Sequence, residues 1–126
     1  MINVADISDV PVAIIGMACR LPGADNLDQL WDIILSGRSV IGEFPAERLN
    51  RDLFYDAHVD TAGKTYSTLG GVLANRAFDR RNCPLATDLA NQVDTSHLLM
   101  CDVAATACRH GGLDPFELPS RNVGVY

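Results

Sequence analysis

Apolar residues fall along this chain in two dense blocks, one near each end, with a loosely patterned middle between them. From Val10 to Met17 the residues are mostly β-branched or small and apolar, with no polar alternation. That pattern belongs to a strand covered on both faces rather than one lying on a surface. A loop is expected over 16–25. Asn26 followed by Gln29 has capping-box spacing, so a helix should start at Leu27. Leu27, Leu30, Trp31 and Ile34 repeat at i, i+3, i+4, i+7 and predict one buried face. Asp28 suits the helix dipole, and Gly37 stands where a left-handed C-terminal cap would be needed.

The middle is less periodic. Residues 38–64 hold Pro45 and scatter Phe44, Phe54 and Tyr55 among charges, which predicts a long ordered loop with a helical turn at 46–54. Thr65 to Leu69 is β-prone and runs into Gly70-Gly71, the pattern of a surface hairpin or covering flap. Pro84 should open a helix over about 84–91, with Asp88 and Asn91 facing water.

The second apolar block is a helix capped by Asp94 or Thr95. Leu98, Leu99, Met100, Cys101, Val103, Ala104, Ala105, Ala107 and Cys108 make it apolar over most of its circumference, with Thr95, Asp102, Thr106 and Arg109 as one narrow polar stripe. A helix of this kind is expected to be buried between other elements. Gly111-Gly112 ends it, and Asn122 to Tyr126 starts a further strand. Residues 1–9 are polar and acidic and are expected to be a leader into a domain beginning at Val10.

Composition narrows the function. With 126 residues, 48% hydrophobic and 21% charged, the chain has the makeup of one soluble globular domain or part of one. A net charge of -6 argues against nucleic acid or an anionic membrane as the main partner. The run Val10 to Ala18 is broken by Pro11 and Gly16 and preceded by Asp6 and Asp9, so neither a signal peptide nor a membrane span fits, and a cytoplasmic chain is expected. Cys19, Cys83, Cys101 and Cys108 lack CxxC pairing and are expected as free thiols, without a disulfide.

Candidate chemistry is sparse. His97, Cys101 and Cys108 project from one side of the last helix with His110 nearby, but eleven helical residues span roughly 16 Å, too far for one tetrahedral ion. A buried, hydrogen-bonded His97 is the preferred reading, and a small metal-binding protein built on His97 and Cys101 the less favoured one. The loop from Gly16 to Gly23 is neither GxGxxG nor GxxxxGK[ST], so nucleotide binding has little support. Arg76, Arg80 and Arg81 form a small basic cluster, read as a solvated loop rather than a surface that steers an acidic carrier protein or its phosphopantetheine phosphate. No Ser/His/Asp set, paired-carboxylate site or HExxH is present.

Taken in order, these motifs resemble the N-terminal part of the ketosynthase (beta-ketoacyl synthase) domain of polyketide synthases. The run from Val12 to Ala24, including Cys19-Arg20-Leu21-Pro22-Gly23, is similar to that family's opening strand and loop. Asn26-Leu27, Leu30-Trp31 and Leu35-Ser36-Gly37-Arg38 are similar to its first helix. Pro45-Ala46-Glu47-Arg48, Phe54-Tyr55-Asp56, Gly63-Lys64-Thr65-Tyr66, Gly70-Gly71, Phe78-Asp79, Asp102-Val103-Ala104, Gly111 to Pro115 and Val123-Gly124-Val125 follow in the family's order. The chain departs from the usual Phe-Gly-Ile-Ser-Pro and Asp-Pro-Gln-Gln-Arg segments, reading Cys83 to Thr87 and Asp94 to Leu98 instead, closer to iterative synthases of the enediyne type.

The resemblance implies an incomplete N-terminal portion of a thiolase-like α-β-α-β-α fold over residues 10–126, with the domain continuing beyond Tyr126. It implies an enzyme, an acyltransferase performing decarboxylative Claisen condensation of acyl and malonyl thioesters, in which a cysteine carries the acyl chain and two histidines stabilise oxyanion and enolate. None of those catalytic positions falls in this chain, so no catalytic, cofactor-binding or metal residue is assigned and the chain alone is expected to be inactive. Thr106-Ala107-Cys108 mimics the family's nucleophile motif. However, Cys108 lies at the negative end of an apolar helix and is followed by Arg109-His110, so core packing is the preferred reading. The implied partners are the rest of the domain, a phosphopantetheine-bearing acyl carrier protein and a second copy in a homodimer. The alternative is a non-catalytic, ketosynthase-derived interaction module. The apolar faces of 10–17 and 95–109 should then be poorly covered, favouring aggregation or dependence on the missing portion.

Overall fold

The computed structural model describes residues 11–74, 76–118 and 123–125. In chain order its elements are α1 (Leu27–Ser36), β1 (Gly42–Glu43), α2 (Arg51–Phe54), β2 (Leu69–Gly70), a 3-10 turn (Arg80–Asn82), α3 (Thr87–Ala90) and α4 (Thr95–His110). Strands β1 and β2 form a two-residue antiparallel ribbon, Gly42 opposite Gly70 and Glu43 opposite Leu69. The expected leader at 1–9 lies outside the described residues.

The helix starts follow the sequence chemistry. Asn26 accepts the Gln29 amide, while Gln29 Oε1 accepts the Asp25 amide at 2.7 Å, one residue earlier than the capping box would have it. Gly37 closes α1 at φ 63. Asp94 caps α4 by accepting the Ser96 amide. The expected helical turn in the middle loop is α2, capped by Asn50. The helix expected over 84–91 shortens to α3.

Several expectations change. No strand forms among residues 11–18, because no other strand among the described residues runs beside them to take up their backbone groups. Val123–Val125 likewise carries no strand, Asn122 and Tyr126 lying outside the described residues. The flap at 65–73 pairs through β2 with β1, twenty-seven positions upstream, rather than folding on itself. On α1 the covered residues are Leu27, Leu30 and Ile33, and they are only half-buried, while Trp31 and Ile34 are exposed.

α4 departs furthest from expectation. It is buried on one side only, and the inward side carries Asp102 together with Leu98, Leu99 and Ala105. Met100, Cys101 and Ala104 face outward, Met100 being 68% exposed. The first segment is similarly bare, with Val12 91% and Ile14 82% exposed. The core is correspondingly small, made of Ala24, Cys83, Ala90, Leu98, Leu99 and Ala105. Both apolar blocks thus expose the faces that the sequence reading expected to be left bare.

Candidate functional site

The densest chemistry lies where the opening loop meets α4. Leu21-Pro22-Gly23-Ala24 makes a tight turn closed in both directions, Leu21 N to Ala24 O at 2.8 Å and Ala24 N to Leu21 O at 3.0 Å. Proline sets the first central position, and Gly23 at φ 76 supplies the left-handed second one, the type II pattern. A Cβ on Gly23 would also stand 2.9 Å from Val40 Cγ1. This turn presents the Arg20 guanidinium to α4.

There Arg20 meets three acceptors. Its Nη2 donates to Asp102 Oδ2 at 3.1 Å and to the Ala77 carbonyl at 3.3 Å, and its Nη1 pairs with Asp25 at 3.3 Å. Asp102, only 6% exposed, uses its other oxygen to accept from Asn82 Nδ2 at 2.6 Å. Arg109 Nη1 in turn donates to Asn82 Oδ1. Four side chains from the opening loop, the 3-10 turn and α4 therefore form one chain of charge-assisted bonds. No buried side-chain nitrogen or oxygen among the described residues lacks a partner, so the network meets the condition under which buried ions are tolerated.

The same loop is pressed onto the end of α4. Met17 N–H donates to His110 Nδ1 at 3.1 Å, so that ring nitrogen acts as the acceptor in this contact. A Cβ on Gly16 would lie 2.9 Å from the Gly111 nitrogen and closer still to the Ala107 carbonyl oxygen, and one on Gly111 would lie 3.0 Å from the Ile15 carbonyl. Only glycine allows backbones to approach so closely. Beside this contact, a cavity of about 280 Å³ is lined by Cys19, Asp25, Asp28, Thr106 and His110. A second, of about 420 Å³, lies between Phe44, Arg48, Val72, Arg76 and the start of α4. Asp94 faces it, its carboxyl held below the usual range chiefly by the Ser96 hydroxyl and amide, with His97 and Arg76 adding to the effect.

The residues singled out in sequence fall in scattered places. His97 is exposed, not buried, because α4 turns that flank outward. Cys108 is half-buried in the last turns of α4, and Cys19 is half-buried in the loop. No group of three His, Cys, Asp or Glu that could hold a metal ion occurs among the described residues. The arginine cluster is dispersed: Arg81 pairs with Asp79 at 2.6 Å, Arg80 donates to Thr87 Oγ1 at 3.1 Å, and Arg76 lines the larger cavity. Sequence reading missed the Arg20–Asp102–Asn82–Arg109 network. Its signal was a single carboxylate amid Met100, Cys101, Val103 and Ala104, read from the sequence only as part of a narrow polar stripe.

What the sequence builds is a joint that fixes the opening loop to a long helix. No helix among the described residues is long and apolar enough to cross a membrane.

The chain is similar to known proteins over most of its length. The family model for the N-terminal domain of beta-ketoacyl synthases matches residues 9–126. The phenolphthiocerol synthesis polyketide synthase type I Pks15/1 of Mycobacterium bovis is 38% identical over 119 residues, covering 92% of this chain. Polyketide synthase GfsB of Streptomyces halstedii is 36% identical over 121 residues, covering 94% of it. These alignments span only 6% and 2% of the relatives' own lengths. Among solved structures, the oxazolomycin ketosynthase domain OzmH KS7 of Streptomyces albus JA3453 superposes with a TM-score of 0.67 at 30% identity, covering 77% of this chain and 17% of that one. The described elements are accordingly a part of the thiolase-like α/β fold, and the chain belongs to the beta-ketoacyl synthase family, matching its N-terminal domain.

Proposed function

We propose that this chain is the opening portion of a polyketide synthase ketosynthase, a domain running from residue 10 through Tyr126 and onward, whose complete form condenses an acyl thioester with a malonyl thioester and releases carbon dioxide. The nucleophilic cysteine and the two histidines would be supplied by segments after Tyr126. The substrates would arrive on the phosphopantetheine arm of a carrier protein, and the working unit would be a cytoplasmic homodimer. The role of this chain in that unit is to supply the opening loop and α4 as a preassembled wall.

The observation that carries this reading is that α4 is covered on one side only. A polar network holds its inner side to the opening loop, while Val12, Ile14, Met100 and Ala104 are left to solvent on faces that a larger domain would cover. Sequencing past the codon for Tyr126 tests it. A downstream Thr-Ala-Cys-Ser-Ser motif and two later histidine motifs are expected. A stop codon directly after Tyr126, or condensation activity by the 126-residue chain itself, would overturn it in favour of a separate module or an unrelated catalyst.

A further inference from the structure

The larger of the two cavities brings two unpaired arginines together on an otherwise acidic chain. It holds about 420 Å³, within the range of small-molecule sites. Arg48 and Arg76 border it, and among the described residues neither side chain makes a hydrogen bond or ion pair. Arg80 and Arg81, close to Arg76 in sequence, are instead held by Thr87 and Asp79. Arg48 rides on the turn after β1, its amide donating to the Pro45 carbonyl at 2.9 Å, while Arg76 follows β2. Asp94 also faces the cavity, but its carboxylate accepts the Ser96 amide at 2.8 Å and pairs with neither arginine. Two cations against one anion leave a single positive charge. Much of the remaining wall is apolar: Phe44, Val72 and Leu99 line it, and Gly70 has no Cβ to collide with the Phe44 ring. Thr95 and Leu99, one turn apart, bring α4 to the cavity, whereas Met100 and Ala104, on the flank left for a larger domain, lie further round the helix.

We propose that this cavity is a binding site for an organic monocarboxylate with a short apolar body, its carboxylate held by Arg48 and Arg76 and its hydrocarbon lying against Phe44, Val72 and Leu99. A guanidinium receives a carboxylate through paired N–H donors, so two of them can share one such head group. The single net charge selects a monoanion. A phosphate dianion would leave excess negative charge on a chain already at -6. The apolar wall adds affinity that a small inorganic ion cannot collect, because only a ligand with a hydrocarbon part removes that surface from water. The site binds and performs no chemical step. The inference does not depend on the ketosynthase reading.

Octanoate titrated into the nitrogen-15-labelled 126-residue chain and followed by amide NMR tests it. A Kd of about 1–5 mM is expected for so small a ligand at an open site, with shifts concentrated at Phe44, Val72, Thr95 and Leu99. Octanol, which has the same chain length and no charge, should bind about tenfold more weakly. Octanoate should lose a similar factor on the Arg48→Gln and Arg76→Gln chains and nothing on Arg38→Gln, a cation outside the cavity. Neither cavity arginine holds the fold through a side-chain bond, so both variants should keep the parent circular dichroism spectrum. Equal binding of octanol, shifts spread over Ile14 and Met100, Arg48→Gln and Arg76→Gln chains that bind like the parent, or displacement of octanoate by equimolar inorganic phosphate would each overturn the proposal. A chain extended through the rest of the domain should bind octanoate within about threefold of the same Kd, since the cavity wall is already complete. Loss of binding there would show that the missing portion fills the cavity, and would overturn it as well.

Discussion

Replacing Asp102 with alanine should cost about 3 kcal/mol, a value that follows from what the substitution leaves behind. Asp102 receives Arg20 on one oxygen and Asn82 on the other, with the Arg20 and Asp102 side chains 17% and 9% exposed. Breaking one partner out of a buried pair costs about 3–5 kcal/mol when the survivor is stranded. Arg20 is not fully stranded, since Asp25 and the Ala77 carbonyl still hold it at 3.3 Å, which moves the expected cost to the low end. Asp102→Asn retains one acceptor and removes the charge, so about 1–2 kcal/mol is expected. Urea unfolding followed by far-UV circular dichroism reads both losses, and a double-mutant cycle with Arg20→Met isolates the pair. Its coupling should reach about 1 kcal/mol or more. A cost below about 0.5 kcal/mol for Asp102→Ala, as for an ordinary surface site, together with no coupling, would refute the claim that this network holds the loop to α4.

Gly16→Ala should destabilise the chain by about 2–3 kcal/mol, because the new methyl meets backbone that cannot swing aside; an unchanged urea midpoint would show that the loop does not sit against Gly111. Acid should weaken the fold below about pH 4. Hydrogen bonds from the Arg81 side chain hold the Asp79 carboxyl at about 2, and Ser96 holds Asp94 below its usual range, so each stabilises the folded chain above the unfolded carboxylate value and stops doing so as pH falls toward the folded one. A dichroism titration showing constant or rising stability from pH 4 to 2 would contradict this. Cys101 should react readily with maleimide in the 126-residue chain and become protected in a chain extended through the rest of the domain. Equal labelling in both would mean that the outer flank of α4 stays open in the larger protein.

Local signals were legible where the chemistry is local. Asn26, Asn50 and Asp94 are helix caps because their short side chains reach amides two or three residues on, and Pro22-Gly23 can form its turn whatever surrounds it. What failed needed information from distant parts of the chain. The run from Val10 to Met17 has strand composition, but a strand exists only with a neighbour, and the described residues supply none. Trp31 was placed on a buried face from periodicity, and His97 was read as buried in preference to a metal ligand, but neither argument says which face finds a partner. Asp102 shows the same limit from the other side: a lone carboxylate in an apolar helix reads as a solvent mark until Arg20, eighty-two positions earlier, is seen beside it. The family resemblance was readable because it rests on the order of many short landmarks, not on any one contact.

The inward placement of Asp102 bears on synthesis of the protein from its amino terminus. A ribosome delivers the opening loop long before α4, and the loop can wait in water because its anchoring group, Arg20, is charged. Once α4 has emerged, ionic pairing can seat the helix in one orientation while its oily flank is still unclaimed. Directional bonds, rather than indiscriminate collapse, thereby select which side of α4 turns toward the opening loop.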